Sequence, residues 1–463
     1  MNVPPTNADS RFDPEEIFGA IDFDGLTTVV AAVSGGSDSL ALLFLLDDLR
    51  RARASFPHIV AVTIDHELRP ESADEALYVA DLCRAAGLTH RVLRWTGPKP
   101  ASGISAKARN VRYALLCKAA REAGTDMVLT GHTLDDQNET FMMRSVRGGE
   151  RGLAGMAPVT LLERETWLVR PLLGLRRERL RQYLRGRRIE WRDDPSNTNP
   201  KYERVRIRDA LQTQDRDDIQ LLIAEKGRKR RALNGEAATF LQSGVTICNG
   251  IRADVDAVGF RNCPHDAQGL IAGVLVAVLG GQSFLPPADE CAKVVRHLCG
   301  ADISGRMSLG RCIIQRGKNG ATIYREMRSI PDVVVAPDST LIWDGRYRIS
   351  NDSNKPVRIV ASGEEGLAFL KQGGTENIHR ASVKSSPMLI CDDKIVAVPA
   401  LTELGPNLGP DHGKVPEGFE VTRYVALFDH ILSGYDEILA ASVAKLFGLR
   451  DYKRFSVNQI DKK

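Results

Sequence analysis

The sequence predicts an α/β protein: a doubly wound parallel sheet, followed by a helical middle domain and a C-terminal α+β domain. Three observations carry that prediction. From Thr28 to Gly149, strand-length apolar runs alternate with helix-length amphipathic ones. The first strand, Val29-Val30-Ala31-Ala32-Val33, breaks abruptly into Ser34-Gly35-Gly36-Ser37-Asp38-Ser39. Beyond Gln212 the rhythm stops, giving helical periodicity and then short strand-like pieces bounded by glycine.

Residues 1–24 read as a polar leader with a short helix from Pro14 to Ile21. The leader lacks the apolar segment of a signal peptide and the Arg/Ser-rich pattern of a transit peptide. No run of about 18 apolar residues occurs, so the expectation is a cytoplasmic chain with no membrane association.

Residues 25–212 carry the sheet. After the glycine loop a helix runs from Ser39 to about Arg53 and ends before Pro57. His58 to Asp65 is a second buried strand, Glu75 to Ala86 a helix stopping at Gly87, and Thr89 to Trp95 an alternating strand. Ala106 to Glu122 is helical, Asp126 to Thr130 a strand, and Leu134 to Arg147 a helix closed by Gly148-Gly149. A β-α-β-α order makes the sheet parallel, and ligands of such sheets sit beyond the carboxyl ends of the strands. Ser34 to Ser39, Asp65-His66 and Gly131-His132 therefore share one edge.

At 463 residues the chain exceeds one ordinary core, so two or three domains are expected. Residues 213–325 read as a helical domain: Asp215 to Gly244, Ala267 to Leu279 and Ala288 to Leu298 have helical periodicity. Strand-like pieces follow at Met307 to Gln315, Ala321 to Glu326, Leu341 to Ile349 and Val357 to Val360. Residues 330–435 read as the α+β accessory domain and 436–463 as a tail, polar after Arg450. Leu341 to Ile349 alternates through an Asp-Gly turn, the pattern of a hairpin. Its Trp343, Arg346, Tyr347 and Arg348 either stack on nucleic acid or build the hairpin.

The glycine loop has a physical reading. Glycines accept positive φ and let a backbone approach a ligand closely. Unpaired N–H groups at the start of the following helix, aided by its dipole, suit a phosphate. No Gly-Lys-Ser/Thr follows, so this is not a Walker A loop. The bland alternative is a plain strand-to-helix turn.

A second constellation lies in Leu134-Asp135-Asp136-Gln137-Asn138-Glu139. Asp135 and Asp136 share a helix face with Glu139, at i,i+4 and i,i+3. Such a face needs a cation: Mg²⁺, an amine substrate, or Arg109 and Arg112 from the preceding helix. Alternatively, Asp135 and Asp136 only offset the helix dipole. Net charge is a modest +4, but Arg170 to Arg208 holds twelve arginines and one lysine against five acids. That block, and Lys226 to Arg231 after it, suggest a polyanion, or else a solvated helix face. The eight cysteines are scattered with no CxxC, against a zinc site, an iron–sulfur cluster or a disulfide framework.

Ser34-Gly35-Gly36-Ser37-Asp38-Ser39 resembles the SGGxDS signature of the PP-loop ATP pyrophosphatases, whose sheet is of the adenine nucleotide alpha hydrolase type. Thr130-Gly131-His132 with Asp135-Asp136-Gln137 and Glu139-Thr140 narrows the resemblance to the tRNA(Ile)-lysidine synthetases. So do Arg144 to Met156, Asp65 to Arg69, Ala108 to Tyr113, Arg170 to Leu173, Asp193 to Asn197 and Tyr202 to Arg208, in the family's order. Together they span roughly residues 28 to 211. One departure is Arg204-Val205, where the family commonly has Arg-Asn.

The resemblance implies an ATP-dependent ligase. ATP would adenylylate C2 of the wobble cytidine of a tRNA(Ile) with a CAU anticodon, releasing pyrophosphate. Free L-lysine would then displace AMP, giving lysidine and moving the codon read from AUG to AUA. It implies that Ser34, Gly35, Gly36, Ser37, Asp38, Ser39 and His132 bind ATP, with Asp38 on Mg²⁺. Asp38, Arg112, Asp136 and Glu139 become catalytic, the two acids of the later helix handling the amine. Arg109, Arg204, Arg206 and Arg208 become contacts to tRNA or its base, and a homodimer is allowed. The alternative is a PP-loop tRNA 2-thiolation enzyme, which needs a reactive cysteine. A small-molecule ligase such as NAD or GMP synthetase leaves the arginine block unexplained, and a tRNA-binding chaperone leaves the intact loop unexplained.

Overall fold

A computed structural model describes residues 12–67, 72–100, 102–193, 203–210, 213–300, 305–317, 320–372, 378–399, 415 and 417–455. Of the family-like stretches, Leu68, Arg69, Asp194 to Asn197 and Tyr202 lie outside these, as do residues 1–11 of the leader and 456–463 of the tail. The chain forms two compact units: Met1–Arg230 with Ser433–Tyr435 and Lys453–Lys463, and Arg231–Leu432 with Asp436–Tyr452. Among the described residues no helix is long and apolar enough to cross a membrane.

The first unit begins with α1 (Pro14–Phe18), β1 (Thr28–Ala32), α2 (Ser37–Ala52), β2 (His58–Asp65), α3 (Ser72–Ala86) and β3 (Thr89–Arg94). It continues with α4 (Ile104–Glu122), β4 (Met127–Thr130), α5 (Leu134–Arg147), β5 (Val159–Leu162) and β6 (Thr166–Val169). Helices α6 (Arg177–Gly186) and α7 (Glu203–Ala210) follow, and α8 (Thr213–Gly244) contains the unit boundary. These six strands lie side by side in the order β5-β6-β4-β1-β2-β3. β1 pairs in parallel with both β2 and β4, and β4 with β6. The chain thus moves outward from β1 to β3 and then crosses back to the other side of β1. A crevice opens where such an order reverses, at the carboxyl ends of β1 and β4.

Apolar residues make this layer. Leu40 to Leu46 of α2 are all at most 7% exposed. Val30, Val60, Val62 and Val128 of the strands pack with Tyr113, Leu116 and Ala120 of α4. The β5–β6 hairpin, which the sequence pattern did not predict, turns through Glu163 and Arg164, both at positive φ.

The second unit has the expected helices α10 (His265–Gly280) and α11 (Ala288–Cys299), a short α9 (Ala257–Asn262) that the sequence pattern did not predict, and with them a five-stranded antiparallel sheet. Its strands are β7 (Val245–Cys248), β8 (Arg252–Asp256), β9 (Gly305–Leu309), β10 (Cys312–Arg316) and β11 (Gly320–Arg325). The piece expected from Met307 to Gln315 is a hairpin turned at Gly310-Arg311. Strands β12 (Val333–Val335), β13 (Ser339–Trp343) and β14 (Tyr347–Asn351) follow, and β13 and β14 form the expected hairpin about Asp344-Gly345. Stacking of nucleic acid on that hairpin is ruled out for three of its four residues. Trp343, Arg346 and Tyr347 are 1%, 1% and 5% exposed, because the rings join the core and Arg346 pairs with buried Asp344.

Candidate active site

The crevice is lined by the loop between β1 and α2. Gly35 takes φ +80°, which reverses the chain at the end of β1. Gly36 is the N-cap of α2 and has no side chain to offer its first-turn N–H groups. Ser39 ties the loop together: its Oγ accepts from the Ser34 N–H at 3.0 Å and donates to the Gly36 carbonyl at 3.0 Å. Across the crevice, a Cβ on Gly131 would fall 2.6 Å from the Asp38 carbonyl oxygen. Only glycine lets the end of β4 lie against the first turn of α2. His132 follows, its Nδ1 3.0 Å from Thr130 Oγ1. Burial, with Arg170 nearby, pushes its pKa down to about 3, so the ring is neutral.

α5 starts with a reciprocal cap. Asp136 Oδ2 accepts from the Thr133 N–H at 2.8 Å and from Thr133 Oγ1 at 3.0 Å. Its Oδ1 faces the crevice and pairs with Arg177 Nη2 at 3.0 Å and Arg204 Nη2 at 2.6 Å. Glu139, 1% exposed, takes Arg208 Nε at 2.6 Å, Arg177 Nη1 at 3.8 Å and Arg204 Nε. Asp38 Oδ2 pairs with Arg177 Nε at 2.7 Å, while Oδ1 accepts from Ser37 Oγ at 3.0 Å. The Arg177 N–H donates to Asp135 Oδ2 at 2.8 Å.

Electrostatics separate these acids. Burial raises the Asp38 pKa above its ordinary value even against Arg177. Burial acts on Asp136 the same way, but Arg177 and Arg204 outweigh it and hold it below the carboxylate norm. Arg177 is disfavoured by burial, and Asp136, Asp38 and Glu139 more than restore its charge.

Of the candidate cations, Arg109 and Arg112 do not pair with this face. Arg112 points Nε and Nη2 at His66 Nε2, 3.4 and 3.3 Å away, and Arg109 lies over the Tyr113 ring at 5.0 Å. Both line the same cavity of 820 Å³ as Ser34, Asp38, His132 and Asp136, so the predicted groups converge. Arg204 and Arg208, expected as tRNA contacts, turn one helical face toward Glu139, while Arg206 is exposed. Val205 is buried and also lines the cavity. The sequence reading missed Arg177. The capping pattern Thr133-x-x-Asp136 was a readable signal; for Arg177 the signal was no more than one arginine among twelve.

Among the described residues no cluster of three His, Cys, Asp or Glu side chains could hold a metal alone. Mg²⁺ carried by a nucleotide needs fewer protein ligands, because phosphates and water complete its shell. Asp38, beside the phosphate loop, fits that lesser demand. Cys83 and Cys117, the cysteines of the first unit, are buried, and burial pushes both thiols up to about 11.

Residues 14–214 match the family model for the PP-loop domain. The tRNA(Ile)-lysidine synthase of Brucella anthropi is 38% identical over 468 residues, spanning 97% of this chain and 98% of that protein. Its counterpart from Brucella canis is 39% identical over 452 residues, spanning 94% and 98%. Among solved structures, the U34-tRNA thiolase NcsA from Methanococcus maripaludis is similar over 46% of this chain and 77% of its own, with TM-score 0.40 and 15% identity.

Proposed function

The chain belongs to the tRNA(Ile)-lysidine synthase family, an ATP-using group of PP-loop enzymes, and from that premise we propose that it joins free L-lysine to C2 of the wobble cytidine of a CAU-anticodon tRNA(Ile). The observation carrying this reading is that a phosphate-type loop and a buried carboxylate face open into one cavity of 820 Å³.

The reaction has two steps. The C2 oxygen attacks the α-phosphate of ATP and pyrophosphate leaves; the ε-amine then attacks C2 and AMP leaves. The first-turn N–H groups of α2 and the hydroxyls of Ser34, Ser37 and Ser39 hold the triphosphate. Mg²⁺ at Asp38 would offset charge on the departing pyrophosphate. Neutral His132 lies by the nucleotide, and Arg109 and Arg112 hold phosphate or the base oxygen. Lysine arrives as an ammonium and must lose a proton before attacking, so Asp136 and Glu139 bind it and accept that proton. Exposed Arg206, with exposed Arg179 and Arg185 of α6, serves the RNA backbone, which must recover the few kcal/mol a flipped base costs. Arg204 and Arg208 hold Glu139 until the tRNA arrives.

The 2-thiolation alternative needs an accessible sulfur near the loop, and Cys83 and Cys117 are poorly suited to supply it. One assay decides: the chain is incubated with Mg-ATP, radiolabelled lysine and unmodified tRNA(Ile). Label in RNA is expected. Modification that requires a sulfur donor, or no label at all, overturns the reading.

A further inference from the structure

We propose that Arg177 is a positioning residue that couples nucleotide to amine binding. Its guanidinium keeps Asp136 and Glu139 closed to the lysine ammonium until phosphates draw it away. The proposal rests on the lysine-ligating reading above and adds an order to it.

The argument is one of charge and reach. Asp38, Asp136 and Glu139 are matched by Arg177, Arg204 and Arg208, three carboxylates against three guanidiniums. An ammonium entering that set would meet carboxylates already paired, beside like charges in a half-dry cavity. It binds well only if a guanidinium leaves. Arg204 and Arg208 pair with the acids of α5; Arg177 pairs with those and with Asp38 at the phosphate loop. Arg177 is therefore the one that a triphosphate on the loop would meet first. Phosphate oxygens offer a guanidinium the same bidentate geometry as a carboxylate, with more charge. Anchored through its own N–H to Asp135, Arg177 can swing its side chain while α6 stays in place. Moving it toward the phosphates frees one lone pair of Asp136 and the approach to Glu139.

Coupling of this kind is measurable and reciprocal. The test is equilibrium dialysis of radiolabelled L-lysine against the full chain, with and without Mg²⁺ and a non-hydrolysable ATP analogue. In the unsubstituted chain the analogue is expected to tighten lysine binding by about tenfold. Arg177→Met should bind lysine more tightly without nucleotide, and the analogue's effect should fall to near one. Arg177→Lys keeps the charge but lacks the fork, so its coupling should be intermediate; it decides the matter if the Met variant does not fold, as judged by circular dichroism. Unchanged coupling in the folded variants overturns the proposal, as does an analogue without effect on a chain that does label RNA with lysine. A chain that neither binds lysine nor labels RNA overturns the lysine-ligating reading itself.

Discussion

Two buried arginine–carboxylate clusters among the described residues, one in each unit, differ in what their arginines touch. In the first unit Arg177, Arg204 and Arg208 meet carboxylates at the wall of a cavity, and their side chains are 18%, 43% and 30% exposed. In the second, buried Asp344 takes Arg325 and Arg346, at 0% and 1% exposure, and Arg311, at 30%. There the surplus charge is met by backbone: Arg325 donates to the carbonyls of Glu326 at 2.6 Å and Arg328 at 3.0 Å, and Arg346 to that of Ser385. A guanidinium pinned by carbonyls cannot leave without unmaking the chain around it. One held by side chains beside open space can exchange partners. The same residue types thus build a staple in one place and an adjustable surface in the other.

The sharpest way to break this contrast is Asp344→Ala. It strands the two buried guanidiniums of Arg325 and Arg346 and should cost about 3–5 kcal/mol of second-unit stability. Trp343, the tryptophan of that unit, reports the urea transition; a loss below about 1 kcal/mol would show the staple to be ornamental. Asp38→Ala should do the reverse. Burial already disfavours its charge, so the denaturation midpoint should barely move, while ligation falls on the order of 10²–10³-fold, near 3 kcal/mol. Steady-state rates with the urea midpoint beside them check both halves. The mildest effect is a pH dependence read in the first unit. His132 and His66 are held at about 3 and about 4, mainly by burial, whereas the unfolded chain titrates near 6.5. The unfolded chain then binds more protons, so their contribution is complete above pH 6.5 and is lost as pH falls through the folded values. Melts of Trp343→Phe, which leaves the first-unit tryptophans as reporters, should show stability declining from pH 6.5 to 4, and less so with His132→Gln added. A flat profile would remove the histidines from the account.

The sequence exposed what is encoded locally. Strand, glycine loop and helix follow one another within Val29 to Leu46, and the paired acids of α5 are readable from their spacing. What stayed hidden depends on distance or on exceptional backbone. Arg177 meets Asp38 across 139 positions, so no spacing rule could pair them. The hairpin of β5 and β6 turns on Glu163 and Arg164, residues that seldom take positive φ, and so lacks the Asn-Gly signature. Trp343 and Tyr347 looked equally fit for a nucleic acid or a core, because alternation fixes a face but not what covers it.

Asp136 deserves a last consequence. One of its oxygens closes the end of α5 and the other belongs to the site, so folding and chemistry draw on a single carboxylate. A replacement there loses one role or the other: Asn removes the charge, and Glu can still close the cap but carries its second oxygen away from the place between Arg177 and Arg204. In an activity-based selection this position will therefore look more intolerant than either role alone would make it.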